Sequence, residues 1–380
     1  MNKFTFHNIG QGLFYSGHID NDKYNFVFDC GSVSHSKYIN NSIDNLSSRK
    51  FIDFVVISHL HADHINGLRK LFAKYSIQKL YLPYLGRNNN SLVKLLIGTA
   101  LSTKYINEEN RLGRDIDIDP IDNMIEDYRF ITDFYNPEIR SINGTNVEFI
   151  GIEAEPTIRN DGGKMFSKKY FATPSISNTL WEFVMFNIRQ SDSELKLLNT
   201  KIDNLLIKYG FKSVDEMVRR NQLNEIVAIY KEVFEKKGKD LNLTSTVLIH
   251  YPLNESKLYY GQRIFYNPLS NDKHLKKVKT VTILTGDALF DSEMLDRISD
   301  ELTKHNNIHT IFQIPHHGSK KNWDSLTHPY KFAFNHYVIP FGLGNKYHHP
   351  HKDVINELMT FKILGVSLVT EIQPLHYYIA

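Results

Sequence analysis

Phe54-Val55-Val56-Ile57-Ser58-His59-Leu60-His61-Ala62-Asp63-His64 is the stretch that decides the reading of this chain. Its first half is a short unbroken apolar run, the pattern of a strand covered on both faces. Its second half crowds four groups able to ligate a metal, His59, His61, Asp63 and His64, into six residues. His59 and His61 are two apart, so on extended backbone their side chains point the same way. Asp63 and His64 then sit at a turn before the helical spacing of Gly67 to Tyr75, where a carboxylate also complements a helix dipole. Packing alone does not account for such a cluster directly after a buried strand. Imidazole nitrogen and carboxylate oxygen suit Zn²⁺, Mn²⁺ or Fe²⁺.

On the N-terminal side, Phe4 to Ile9 alternates weakly, Gly10-Gln11-Gly12 makes a turn, and Tyr24 to Cys30 reads as a strand that closes on Asp29 and Gly31. Leu80 to Pro83 reads as the strand after the His cluster. Between about 88 and 240 the pattern turns helical, over Ser91 to Tyr105 and Ile121 to Tyr135, with a strand at Asn146 to Gly151. Two helices there are better marked. One carries Leu195, Leu198, Ile202, Leu205, Leu206 and Tyr209 on one face, with Ser191 and Glu194 as a capping box and Gly210 as its stop. The other carries Leu223, Ile226, Val227, Tyr230, Val233 and Phe234, with Ser213 and Glu216 upstream and Gly238 after. Two readings stand for this region: an insertion spanning roughly 88–240, with a helical subdomain or lid at 191–238, or ordinary surface helices packed on the core. Strands return at Ser245 to His250, Thr280 to Thr285, Thr310 to Ile314 and Tyr337 to Phe341. A helix over Asp353 to Leu364 precedes a last strand near Val366 to Ile372. Strands at both ends with helices between predict a single α/β domain over 1–380, layered as an αββα sandwich.

Bulk properties set limits on function. The chain has 380 residues, 41% of them hydrophobic and 23% charged, which is a folded rather than a disordered composition. A net charge of +3 gives no strongly basic surface that would by itself argue for nucleic acid. No apolar run is long enough for a membrane span, and the start lacks the basic and apolar segments of a signal peptide. Cys30 is the only cysteine, so an intrachain disulfide is excluded and a cytoplasmic location is expected, with no membrane partner. The 18 histidines are many for this length, and several fall in tight clusters.

His-x-His-x-Asp-His after an apolar strand resembles the metal signature of the metallo-β-lactamase superfamily. The resemblance implies a four-layer αββα metallo-β-lactamase sandwich with a helical insertion, and two divalent ions, Zn or Mn. It implies that His59 and His61 serve the first metal, Asp63 and His64 the second, and Asp287 of Leu284-Thr285-Gly286-Asp287 bridges both. Asp29 resembles the family's strand-ending Asp-x-Gly. Pro315-His316-His317-Gly318-Ser319 resembles the segment that gives the last imidazole to the second metal, with His316 and His317 both open as the ligand. The third imidazole usual at the first metal has no clear counterpart; His250 is a candidate, although a lone histidine at a strand end is more often a polar edge residue.

A narrower resemblance is to the metallohydrolase domain of ComEC-type DNA-uptake proteins and their soluble relatives. It rests on Asn8-Ile-Gly-Gln-Gly12, where Asn8 replaces the usual Asp, on Asn242-x-x-Ser245-x-Val247-Leu248, and on Asn345-x-Tyr347-x-His349-Pro350. These resemblances imply a hydrolase in which a two-metal-activated water attacks an ester, with Asp63 and His349 as catalytic candidates. Ser319, Lys320, Asn345 and Tyr347 are candidate substrate contacts. Lys164, Lys168, Lys169, Lys320 and Lys321 are further cations that could meet phosphates. The expected substrate is a phosphodiester in DNA, RNA or a nucleotide, making the protein a phosphodiesterase or nuclease. Hydrolysis of a small ester, thioester or lactam, or a non-catalytic role with a protein partner docked on the helical insertion, are the alternatives.

Overall fold

The computed structural model describes residues 1–83, 85, 90–112, 120–135, 141–142, 145–151, 165–173, 180–189, 192–234, 245–260, 277–290, 292–323, 334–360 and 365–380. Chain order runs β1 (Asn2–Phe6), β2 (Gly12–Ile19), β3 (Tyr24–Ser32), α1 (Ser36–Asp44), β4 (Phe51–Val56), α2 (Ala62–Ile65), α3 (Leu68–Lys74) and β5 (Ser76–Leu82). Helices α4 (Asn90–Leu112) and α5 (Pro120–Asp133) follow, then a small hairpin of β6 (Ser141–Ile142) and β7 (Thr145–Asn146), and strands β8 (Glu148–Gly151), β9 (Met165–Ala172) and β10 (Trp181–Arg189). A second helical run holds α6 (Asp192–Lys208), α7 (Val214–Arg219) and α8 (Leu223–Val233). The C-terminal part comprises β11 (Val247–Pro252), β12 (Leu258–Tyr260), β13 (Lys279–Leu284), α9 (Ser292–Leu302), β14 (Ile308–Gln313), β15 (His336–Pro340), α10 (Lys352–Thr360), β16 (Gly365–Val369) and β17 (Leu375–Ile379).

Two mixed sheets result. The first runs β12-β17-β1-β2-β3-β4-β5-β8 and the second β16-β15-β14-β13-β11-β10-β9. Each is antiparallel on one side and parallel on the other, the parallel parts being β3-β4-β5-β8 and β13-β14-β15-β16. Alternation along the strands explains the layering. Phe26, Phe28, Phe54, Val56, Leu284 and Ile311 point into one cluster between the sheets, with Phe4, Trp181, Phe183 and Tyr377. Their neighbours Val27, Val55 and Ile57 point outward to helices that supply Ile39, Leu71, Leu95 and Ile226. Val281, Ile283 and Phe312 do the same on the far side, against Met294 and Ile298 of α9 and Val354 and Leu358 of α10. Burial on both faces is why Phe54 to Ile57 is apolar without alternation. The expected αββα sandwich is therefore what the chain forms.

The helices between 88 and 240 come in two runs, separated by strands that belong to both sheets. Helix α4 packs on α5, α6, α7 and α8, and their apolar faces merge with those of the helices outside the first sheet. Gly210 stops α6 as expected, at φ 83, with the N–H of Phe211 returning to the Leu206 carbonyl at 2.8 Å. Ser213 does not cap the helix over 223–233. It caps α7, accepting the Glu216 N–H at 3.2 Å, because Asn221, at φ 55, ends that short helix before α8 begins. Ser191, Gly238 and Asn242 lie outside the described residues.

One polar chain crosses the apolar interior. Trp181 Nε1 can only donate, and it does so to His250 Nδ1 at 3.1 Å. His250 therefore carries its proton on Nε2 and donates to Tyr15 Oη at 2.8 Å. Tyr15 passes its O–H to Tyr377 at 2.6 Å, and Tyr377 passes its own to Thr282 Oγ1 at 2.6 Å. The chain stitches β10, β11 and β13 of one sheet to β2 and β17 of the other. Burial drives the His250 pKa down to about 3.

A depressed histidine takes up its proton first in the unfolded chain. Stability is thus full above the unfolded value of about 6.5 and falls as pH drops toward 3. Between pH 7 and pH 5 this group alone should remove about 2 kcal/mol. Urea unfolding at the two pH values should show His250→Gln losing that much less than the parent; equal losses would mean that His250 does not carry this share.

Candidate metal centre

The cluster forms where strands of both sheets end. His59 follows β4, Asp287 follows β13, and His316 and His317 follow β14, all at carboxyl ends of strands, where open α/β sheets place their ligands. His61 is the cap residue of α2, and Asp63 and His64 lie in its single turn. Two groups of side chains bring one donor atom each to within 4.8 Å of one another: His59, His64 and Asp287, and Asp63, His64 and His317. His61 and His316 lie outside both groups; His61 packs edge-on against His59, with ring centroids 4.6 Å apart.

The sequence presses these ends together through small residues. A Cβ on Gly31 would lie 2.4 Å from the His64 backbone nitrogen, and one on Gly286, at φ 55, would lie 2.6 Å from Ser58 Cβ. Gln313 fixes the Thr285-Gly286-Asp287 turn. Its Oε1 accepts the N–H groups of Thr285 (2.7 Å) and Gly286 (2.9 Å), and its Nε2 donates to the carbonyls of Gly286 (3.1 Å) and Ile314 (2.8 Å).

Hydrogen bonds fix which nitrogen faces the centre in four imidazoles, His59, His64, His316 and His317. Asp29 accepts the Ser58 N–H at 2.7 Å, the Ser58 O–H at 2.6 Å and the His64 Nδ1–H at 2.7 Å. Because Ser58 spends its proton on Asp29, its oxygen accepts from His59 Nδ1 at 3.0 Å. His317 Nδ1 donates to the Pro340 carbonyl at 2.8 Å. His316 Nδ1 meets Asn322 Oδ1 at 2.8 Å. Each Nδ1 thus holds the proton and each Nε2 presents a lone pair inward, the tautomer that metal-ligating histidines adopt.

Three of the inward atoms have no hydrogen bond, while His317 Nε2 meets Asp63 Oδ2 at 3.2 Å. Nε2 of His59, Nε2 of His64 and Asp287 Oδ1 are buried with no hydrogen bond, a cost that a cation would remove. Burial and mutual charge shift the protonation of the whole cluster. Burial, with His64 beside it, holds His59 well below the ordinary histidine range, and burial lowers His61. Burial would lower His64 too, but Asp287, Asp29 and Asp63 raise it well above. Burial would raise Asp287, yet His316, His64 and His59 hold its carboxyl well below the usual range. A nitrogen and oxygen donor set of this kind fits a divalent transition ion. Cys30 is no part of it: burial pushes its thiol pKa up, and its sulfur packs by Gly67.

Other sequence candidates fall on the rim or elsewhere. His349 is half-buried, its ring 5.5 Å from that of His316. Tyr347 stacks on His349, with planes 17° apart. Asn345 holds their loop: its Oδ1 accepts the N–H groups of Tyr347 and His349, both at 3.1 Å, and its Nδ2 donates to the carbonyls of Gly342 (2.8 Å) and His349 (2.6 Å). Ser319 is buried, and its N–H returns to the His316 carbonyl at 2.9 Å. Lys320 pairs with Asp353. Lys164 and the side chains of Lys168 and Lys169 lie outside the described residues. His250, with both nitrogens engaged between the sheets, has none left for a metal. Asn8 borders a separate 410 Å³ cavity shared with Lys3, His7, His18 and His376. Two positioning residues, Gln313 and Asn322, belong to no motif that the sequence announced; Ser58 lies in the deciding stretch, but nothing there announces its orienting role.

A buried His/Asp cluster seated on an αββα sandwich defines a metal-centre class of protein. Comparison with known proteins adds one partial match. The family model described as "Anti-Pycsar protein Apyc1" matches residues 16–129, less than a third of the chain. No curated protein is similar enough to count as a match. Among solved structures, the subclass B3 metallo-β-lactamase MEM-A1 from a soil metagenome library is 14% identical, with a TM-score of 0.21, over 50% of this chain and 56% of that one. A metallo-β-lactamase from Cronobacter sakazakii is 13% identical, with a TM-score of 0.23, over 61% of this chain and 92% of that one. FEZ-1 from Legionella gormanii is 13% identical, with a TM-score of 0.21, over 60% and 96%. The chain spans little more than half of the first two matching structures, 56% and 59%. Among the described residues, no helix is long and apolar enough to cross a membrane.

Asp29 provides a test of the cluster that leaves every inward donor in place. Asn at this position tolerates the left-handed backbone (φ 55), but its NH₂ faces groups that already donate. Asp29→Asn should weaken divalent metal binding by about 10–100-fold, measured by competition with a chromogenic chelator; unchanged affinity would deny the carboxylate this orienting role.

Proposed function

We propose that this chain is a metal-dependent phosphodiesterase that hydrolyses cyclic nucleotides. The observation that carries the reading is the buried Asp287 carboxylate, whose two oxygens face different imidazoles. Oδ2 lies 3.5 Å from His59 Nε2, and Oδ1 lies 3.1 Å from His64 Nε2. The substrate class is supported by the partial match to a family that acts on cyclic nucleotides.

Two divalent ions bound here would supply a water of lowered pKa and a Lewis-acid clamp on phosphoryl oxygens. The remaining work falls on the chain. Asp63 is the least enclosed carboxylate of the cluster, with 18% of its side chain accessible. It can hold the attacking water by accepting one of its protons. The water oxygen bonds to phosphorus, one P–O ester bond breaks, and a proton must reach the departing oxygen. His349 stands at the rim for that transfer. Burial, helped by His316, lowers its pKa to about 4, so it is a neutral imidazole at pH 7 that can relay a proton through its two nitrogens. Tyr347, 46% exposed, stands beside His349 at the rim, where an aromatic side chain suits contact with any nucleobase.

Purified protein loaded with Mn²⁺ or Zn²⁺ should be offered 3′,5′-cyclic nucleotides, bis-p-nitrophenyl phosphate, a plasmid and a chromogenic cephalosporin. Cyclic nucleotide opening is expected, with Asp287→Ala lowering kcat/KM by about 100-fold or more, roughly 2.7 kcal/mol of lost transition-state stabilisation. Lactam opening with every phosphodiester intact would refute the proposal, as would full turnover by Asp287→Ala.

A further inference from the structure

His316 and His317 are neighbours in sequence, yet they do not face the same place. Both adopt left-handed backbone, with φ 48 and 55, followed by Gly318 at φ 82. For a non-glycine residue that conformation costs about 1–2 kcal/mol, and two in succession need a return. The return is divergence: the rings stand 6.1 Å apart with planes at 75°. His317 Nε2 lies 3.2 Å from Asp63 Oδ2 and 4.0 Å from Asp287 Oδ1. His316 Nε2 lies 3.5 Å from Asp287 Oδ2, the oxygen that His59 also approaches at 3.5 Å.

The tautomer of His316 is fixed from outside. Asn322 Nδ2 donates to the Asp287 carbonyl at 3.0 Å, which orients the amide so that Oδ1 faces His316 Nδ1. An amide oxygen only accepts, so Nδ1 keeps the proton and Nε2 presents its lone pair toward Asp287. Asn322 thereby ties the His316 ring to the backbone of the residue between the two imidazole groups. The cluster divides accordingly. Around Asp287 Oδ2 stand His59 and His316, with His61 packed against His59; around Asp287 Oδ1 stand His64 and His317, with Asp63.

We propose that His316 supplies the third imidazole of the first metal position, so that the adjacent pair His316-His317 is split between two ions. This rests on the two-ion reading of the centre given above. It accounts for the described residues offering no separate histidine for that place, and it makes Asn322 a positioning residue for a ligand.

Metal-free full-length protein and its variants, loaded with Co²⁺ or Zn²⁺ and passed through a desalting column, should be measured for bound metal and for visible Co²⁺ absorption. The parent should retain two ions per chain. His316→Ala and His59→Ala should each weaken the same ion by about 10-fold or more, with the double variant losing no second ion, whereas His316→Ala/His317→Ala should lose both. His316→Asn, whose residue tolerates left-handed backbone, should repeat the single loss if alanine disturbs folding. In a Zn²⁺-soaked crystal, His316 Nε2 should lie about 2.0–2.1 Å from the ion that also touches His59. Two ions held by His316→Ala at parental affinity, or a His316 ring turned from both ions, would overturn this inference alone. A parent that binds no metal would overturn the functional reading with it.

Discussion

A carboxylate with 1% of its surface exposed must be met by charge or strong hydrogen bonding, and Asp287 is such a carboxylate. Its own backbone carbonyl is bound by Asn322, its turn is stapled by Gln313, and its side-chain oxygens are left to imidazoles. Among the described residues, its ion-pair partners are all histidines. The imidazoles around it are themselves buried, so the pairing is one of weak acids with a weak base in a low-dielectric pocket. Each partner pulls the other's protonation: His64 rises while Asp287 falls. Such an arrangement is a poor substitute for a salt bridge and a good one for a cation site, because multivalent positive charge satisfies all the donors at once.

The sandwich brings this about by placing the parallel halves of the two sheets so that β4, β13 and β14 discharge into one seam. The seam is narrow enough that Gly31 and Gly286 cannot carry a side chain. The inter-sheet core behind it is aromatic and closely stacked, with Phe26 lying 5.1 Å from Phe54 at 9° and Phe183 5.0 Å from Phe171 at 14°. The loops that carry the cluster inherit their positions from strands locked by that core, so a site made of turns keeps the precision of sheet residues.

What could be read from residues alone follows from locality. The strand-then-cluster stretch at 54–64 combines a pattern and a chemistry within a few residues, and Asp287 and His317 carry local motifs. Strand β10 was not legible, because Trp181 to Arg189 alternates polar and apolar residues only in part. Strand β9 was hidden by its Lys168-Lys169 pair, and α1 and α9 by their polar composition. The short antiparallel closing strand β17, Leu375–Ile379, is a strand only because β1 pairs with it from the far end of the chain, Asn2 opposite Ile379. Asn322 and Gln313 act through long-range hydrogen bonds to backbone, and an isolated Asn or Gln gives no signal of that.

The same logic separates candidate ligand histidines from structural ones, where sequence cannot. A histidine has two nitrogens, and its fate depends on what the first one meets. When Nδ1 meets an acceptor that cannot donate, such as the Pro340 carbonyl at His317 or Asp29 at His64, the proton settles there and Nε2 is left with a lone pair. When Nδ1 meets an obligate donor, such as the Trp181 indole at His250, the proton is forced onto Nε2 and the lone pair is already spent. His250 has a second partner waiting in Tyr15, so it closes a polar chain and has nothing to offer an ion. Equal burial therefore yields opposite roles. The deciding atom is the neighbour of Nδ1, one bond further from the metal than any motif can specify.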